Sequence, residues 1–275
     1  MATLEELIHQ KRWNEAAGLG HKLIEKYPNN SALHYHLGLA RFQLGDPTGA
    51  IQALRSAERS GLSSAALHKT LGLAYYDLHQ FLLFEQQMEK AIALDPRDSE
   101  SYYCLGRYHE AIKSDFPRAL KFFEAATQKK PEDARSVYHR GYCMEMLGEQ
   151  EDARESYKAA IQLVEKSGED FSEPYQGMAR LLLGLHPQQA LSWAQKALDI
   201  NPDDGANYLV LAKIKERLGR LPDAVETLKA ALRLDPTDAT AHYRLYRLYE
   251  RLGNREAALA ELKAFEGLNA VYGTQ

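Results

Sequence analysis

Apolar residues recur along the whole chain at the spacing of amphipathic helices, and no stretch shows the alternation of a half-buried strand. Glycine and proline separate these helical segments. Aligned on the Gly-Leu-Ala sequences at 38–40 and 72–74, the segments repeat with a period of 34 residues. The pattern predicts an all-α chain built from repeated helix pairs.

The period defines seven full repeats, preceded by residues 1–30 as an incomplete first repeat. The full repeats are 31–64, 65–98, 99–133, 134–167, 170–204, 205–238 and 239–272. Positions 8, 20 and 27 of the repeat keep small residues, and position 8 holds Gly38, Gly72, Gly106, Gly141 and Gly177. Because small residues let two helices approach closely, we expect antiparallel helices to meet at these positions.

Glycine and proline mark the predicted helix ends. Position 15 holds a glycine suited to the left-handed residue that ends a helix, at Gly45, Gly148, Gly219 and Gly253. Position 32 holds a proline that stops the second helix, at Pro28, Pro96, Pro131, Pro202 and Pro236. Segment 165–174 lacks this proline and predicts a hinge, and Phe84 replaces a small residue and should push its helices apart unless neighbours compensate.

This pattern resembles the tetratricopeptide repeat (TPR) family, whose motif has Leu at 7, Gly at 8, Ala at 20 and 27 and Pro at 32. The resemblance covers nearly all of residues 1–275. It implies a single right-handed α-α superhelix, a TPR solenoid of about 16 antiparallel helices, with first helices lining a concave groove. For bacterial members it suggests roles in envelope assembly, secretion or regulation.

In this family, positions 2, 5, 9, 12 and 13 of the first helix face the groove. Here they are aromatic and apolar in the front two thirds and mostly basic in the back third, and Tyr and Arg dominate binding hot spots. We expect a partner peptide or helix to bind there, unless the tyrosines at position 5 pack only on the next helix. The candidate binding residues are Tyr35, Phe42, Lys69, Tyr76, Tyr103, Arg107, Arg135, Tyr138, Tyr142, Lys213, Arg217, Tyr243, Arg247 and Arg251.

The two-carboxylate clamp that some family members use for a chaperone tail is absent. Lys69 matches its first position, but Leu73 and Cys104 stand where asparagines are required. An anionic tail or side chain could still be held by the arginines of the last two repeats, unless these are solvated or paired with Glu216 and Glu250. These arginines are Arg217, Arg244, Arg247 and Arg251.

Composition narrows the functional classes. With 45% hydrophobic and 26% charged residues the chain is core-forming, and its apolar runs are too short to insert into a membrane. A formal net charge of -4 argues against nucleic acid as the expected partner. No phosphate-binding glycine loop or nucleophile elbow occurs, so we expect neither catalysis nor a cofactor. As written the chain is expected in the cytoplasm, or in the periplasm if a leader was removed.

One weak metal candidate and two alternative functions stay open. His139 and Cys143 lie four residues apart, and Cys104 is at the position equivalent to His139 in the preceding repeat. They could form a zinc or redox site, although buried thiols are the commoner arrangement. The main functional alternative is a homo-oligomer that stacks end to end through incompletely capped termini, and the second is single-stranded RNA binding.

Overall fold

The computed structural model describes residues 3–272, and over these residues the chain forms 16 α-helices and no strand. The predicted all-α architecture is confirmed. The helices are α1 Leu4–His9, α2 Trp13–Lys26, α3 Ser31–Gln43, α4 Pro47–Arg59, α5 Ala65–Asp77, α6 Phe81–Leu94, α7 Ser99–Ala111, α8 Phe116–Lys129, α9 Ala134–Met146, α10 Gln150–Ser167, α11 Glu173–Leu182, α12 Pro187–Ile200, α13 Gly205–Arg217, α14 Leu221–Leu234, α15 Ala239–Leu252 and α16 Arg255–Tyr272.

The helices form two compact units, divided between Lys130 and Pro131. The N-terminal unit holds α1–α8 and the C-terminal unit holds α9–α16. In both units each odd-numbered helix, the first helix of its repeat, packs on the even-numbered helix that follows. No described helix combines the length and apolarity needed to cross a bilayer.

The helix ends follow from local chemistry. Side-chain oxygens cap the starts of six first helices by accepting backbone N–H bonds, at Thr3, Asn30, Ser64, Asp133, Asp204 and Asp238. The predicted left-handed residues are confirmed, with φ of 74° at Gly45 and 85° at Gly148. Lys11, His79 and Ser114 adopt the same conformation without being glycine, with φ between 51° and 57°. The turn therefore recurs even where its sequence signal is missing.

Glycines of the first helices sit in close contact with large side chains, as predicted. A Cβ placed on Gly106 would lie 2.7 Å from Cε1 of Phe123 in the paired helix. In the C-terminal unit one ring serves two glycines, because Tyr157 of α10 touches both Gly141 of α9 and Gly177 of α11. The small positions thus let a first helix pack closely on a neighbouring second helix, which is the following helix for Gly106 and Gly141 and the preceding helix for Gly177.

Phe84 is accommodated because aromatic neighbours surround it. Its side chain is 1% exposed, and its ring lies edge-on to Tyr76 of α5 and Tyr108 of α7, with both centroid distances 5.2 Å. The neighbours therefore supply the compensation that the sequence left open.

Segment 165–174 lies within the C-terminal unit, and two of its residues contact two different helices, α9 and α13. The Phe171 ring is edge-on to Tyr138 of α9 at 5.6 Å. Ser172 is fully buried, and its Oγ accepts a hydrogen bond from Nδ2 of Asn207 in α13 at 3.2 Å. The hinge at this segment stays a prediction, and these contacts would have to break for it to open.

Asn207 is the centre of a buried polar network. Its Nδ2 also donates to the carbonyl oxygens of Ala197 and Asn201, at 3.2 and 2.8 Å. Its Oδ1 accepts from Nε2 of Gln176 at 2.7 Å. The network joins α11, α12 and α13, and both side-chain amide atoms of Asn207 are hydrogen-bonded, as burial requires.

Candidate functional site

In the N-terminal unit, half-exposed aromatic side chains follow the first helices α3, α5 and α7. Tyr35, Phe42 and Tyr76 each pack partly on the core and leave the rest of the side chain accessible. Tyr103 is also half-buried, with its ring edge-on to Phe123 at 5.9 Å. Four of the predicted groove residues are thus held firmly while part of their surface stays open.

The predicted cations of this unit are engaged by nearby acids. Lys69 Nζ lies 2.9 Å from Asp98 Oδ2, and Arg107 Nη1 lies 3.4 Å from Glu110 Oε1. Burial alone would raise the pKa of Asp98, but hydrogen bonds from Ser101 and Lys69 outweigh it and hold the pKa below its usual range. Lys69 therefore ties α5 to the residue before α7, and its charge is neutralised.

In the C-terminal unit, Tyr138 differs from the groove expectation. It is only 7% exposed, because its ring stacks on Tyr157 at 5.6 Å and meets Phe171 edge-on. Tyr138 therefore follows the alternative named in the sequence analysis, in which a tyrosine at position 5 packs on neighbouring helices. Tyr142, one turn further along α9, is half-buried, and Met146 after it is 43% exposed. The accessible apolar surface of α9 is therefore shifted towards its C-terminal end.

An ion pair that the sequence did not single out joins α9 to α11. Arg180 Nη2 lies 3.1 Å from Glu145 Oε2, and its guanidinium sits 5.5 Å from the ring centre of Tyr142. The Tyr157 hydroxyl donates to the same carboxylate. Burial, reinforced by Glu145, raises the pKa of Tyr157 far above its usual value, so the hydroxyl remains a donor. The sequence signal that could have revealed this ion pair is Arg180 itself, which stands at position 11 of its repeat, where the TPR motif has tyrosine.

The last repeats carry a basic cavity of about 370 Å³, lined by residues of α13 and α15 and by Leu183. Its charged lining residues are Lys213, Glu216, Arg217 and Arg251. Arg251 bonds Glu216 across the two helices. The sequence had predicted the cations of this region, and the structure brings three of them to one cavity.

The remaining predicted cations, Arg247 and Arg135, and the last predicted tyrosine, Tyr243, do not line this cavity. Arg247 Nη1 donates to the hydroxyl of Tyr243 at 3.3 Å, and Tyr243 is 39% exposed. Arg135 Nε lies 3.2 Å from Oδ1 of Asp133, the cap of α9. Arg135 is therefore held at the start of its helix.

The three weak metal candidates lie in two successive first helices, α7 and α9. His139 and Cys143 are buried in α9, with the His139 ring 4.9 Å from that of Tyr138, and Cys104 is half-buried in α7. Across residues 3–272, no group of three His, Cys, Asp or Glu side chains is placed to hold a metal ion.

Sequence comparison agrees with this helical-repeat architecture. A tetratricopeptide repeat model matches residues 6–65 and 113–168, and a second TPR model matches 212–253, so together they match more than half of the chain. The protein belongs to the tetratricopeptide repeat family. Tetratricopeptide repeat protein 37 of Xenopus laevis is 30% identical over 129 residues, which is 46% of this chain. The chain spans only 8% of that relative's length.

Solved structures show the same fold at low identity. The C-terminal part of a TPR protein from Cytophaga hutchinsonii is 20% identical with a TM-score of 0.66, covering 86% of this chain and 96% of that one. Yeast Tom70 is 18% identical with a TM-score of 0.65, covering 93% and 55%. The Cut9–Hcn1 hetero-tetramer of the APC/C is 15% identical with a TM-score of 0.69, and the match covers 97% of this chain and 52% of that one.

Proposed function

We propose that the protein is a non-catalytic scaffold that binds an extended or helical segment of a partner protein along the first helices of its repeats. The observation that carries this proposal is the row of half-exposed aromatic side chains on α3, α5 and α7, formed by Tyr35, Phe42, Tyr76 and Tyr103. Aromatic side chains supply a large apolar contact area and are enriched at energetically dominant binding positions.

The way these side chains are held favours binding. Each packs one side on the core or on a neighbouring ring, as Tyr76 does on Phe84 at 5.2 Å. A side chain that is already ordered loses little conformational entropy when a partner covers it. The row therefore combines accessible apolar surface with a fixed geometry.

A peptide-display selection on the full chain tests the proposal. We expect it to yield binding peptides, and the double variant Tyr35→Ser/Phe42→Ser should bind them at least about tenfold more weakly. The matched control is Leu82→Ser, which removes a 69% exposed apolar residue from the second helix α6. Helicity at the assay temperature should match in all three proteins, although the double variant should melt at a lower temperature because Tyr35 and Phe42 also pack on the core. A selection without binders, or equal loss in the control, would count against the groove.

A further inference from the structure

We propose that the C-terminal unit selects partner segments that are acidic, with Asp or Glu carboxylates bound in the cavity between α13 and α15. The inference rests on the proposed function and specifies the chemistry of the partner. Its basis is the charge balance of the cavity, where three cations, Lys213, Arg217 and Arg251, face one carboxylate, Glu216.

Two of these cations have no acid to neutralise them. Glu216 bonds Arg251, whereas no acidic side chain of the described chain lies within ion-pair distance of Lys213 or Arg217. Both side chains are exposed at the cavity. The cavity thus keeps an excess of positive charge in a chain whose formal net charge is -4.

The predicted groove cations outside the last two repeats are already paired with acids. Lys69, Arg107 and Arg135 each lie within 3.4 Å of a carboxylate from their own repeat or its border. An ammonium or guanidinium that is already paired gains little from a second carboxylate. The cavity of α13 and α15 is therefore where an incoming carboxylate gains most.

The lining favours peptide carboxylates over a polyanion. Arginine offers a planar fork of donors that matches a carboxylate, and Leu183 supplies an apolar wall for the methylene groups of Asp or Glu. Glu216 and the overall negative charge both oppose a long polyanion such as RNA, which is bound mainly through many phosphate contacts. An acidic peptide needs only a few such contacts.

A display selection from a randomised peptide library, with the full chain as target, tests this inference. We expect the selected peptides to be enriched in Asp and Glu over the starting library. A selected acidic peptide should bind Lys213→Gln/Arg217→Gln about tenfold more weakly, and its affinity for the unaltered chain should fall with added salt. The control Arg233→Gln/Lys263→Gln, which removes two exposed cations outside the cavity, should bind within about twofold of the unaltered chain.

The outcomes separate this inference from the function on which it rests. Selected peptides without acidic enrichment, or undiminished binding to Lys213→Gln/Arg217→Gln, would overturn the acidic preference and leave the groove intact. A failure to select any peptide would overturn both. A labelled oligo-dT strand that bound through Lys213 and Arg217 more tightly than the acidic peptide would show that the cavity serves nucleic acid instead.

Discussion

Gly177 of α11 lies so close to Tyr157 of α10 that a Cβ on the glycine would be 2.7 Å from Cε2 of the ring. From the other side, a Cβ on Gly141 of α9 would be 3.1 Å from Cδ1 of the same ring. Real Cβ atoms do not approach a ring carbon to 2.7 Å. Two successive first helices therefore depend on one aromatic side chain and on having no side chain of their own at the contact.

Gly177→Ala should destabilise the C-terminal unit by about 1 to 3 kcal/mol, because the ring of Tyr157 must move within a packed core. Chemical denaturation followed by circular dichroism would measure the change. The matched control is Gly18→Ala in α2, a helical glycine with no atom within 4 Å of the added Cβ. That control should stabilise by up to about 1 kcal/mol through helix propensity. Similar losses in both variants would contradict the contact.

Lys11→Gly should stabilise the N-terminal unit by about 0.5 to 1 kcal/mol. Lys11 has φ of 54°, a left-handed conformation that strains a residue with a Cβ and that glycine adopts freely. Its side chain is exposed, so little packing is lost. The reverse change, Gly45→Lys at φ 74°, should destabilise the same unit. Thermal melting of both variants tests the pair, and a loss of stability in Lys11→Gly would show that the turn carries no strain.

Asn207→Ala should cost about 1 to 3 kcal/mol, because it removes the hydrogen bonds that Asn207 makes with Gln176, Ser172 and the carbonyl oxygens of Ala197 and Asn201 in a largely buried network. Hydrogen exchange of α11 to α13 should locate the loss in these helices. Gln195→Ala removes an exposed amide that bonds only Asp199 nearby, and it should change stability by less than about 0.5 kcal/mol. Equal effects of the two substitutions would argue that the network is dispensable.

Stability of the N-terminal unit should fall as the pH drops below about 6.5, the usual pKa of histidine. His109 of α7 is 2% exposed, and burial, aided by Arg118, lowers its pKa despite the opposing charges of Glu85 and Asp115. The unfolded chain therefore takes up this proton first, and the stabilisation present above pH 6.5 is lost as the pH falls through the folded-state pKa.

His109→Phe should flatten this pH dependence because it removes the ionisable group. The phenylalanine ring can keep the stacking on Phe122, which the His109 ring makes at a centroid distance of 5.4 Å. Denaturation midpoints between about pH 5 and 8 would measure it. An unchanged slope in His109→Phe would assign the effect to other groups, such as His36, whose pKa burial also lowers.

The fold could be predicted from the sequence because its determinants are local and periodic. Gly106 fits against Phe123 since both recur at fixed positions of the repeat, and the glycine turns have a distinct backbone requirement. Lys11 was missed as a left-handed residue because packing of the flanking helices imposes the turn there, without a glycine to signal it.

The candidate site was less predictable, because exposure depends on neighbours that the repeat pattern does not specify. Tyr138 occupies a groove position, but Phe171 of the irregular segment and Tyr157 cover its ring. Arg251 and Glu216 lie 35 residues apart, and their pairing depends on the rotamers of two long side chains. The division between Lys130 and Pro131 likewise has no clear mark in the repeat pattern.

The side chains of the C-terminal unit change in kind from one end to the other, from Tyr142 and Met146 on α9 to Lys213 and Arg251 on α13 and α15. Such a surface has a direction. In the proposed binding mode, a partner segment with apolar residues at one end and acidic residues at the other can contact both parts of this surface in only one orientation.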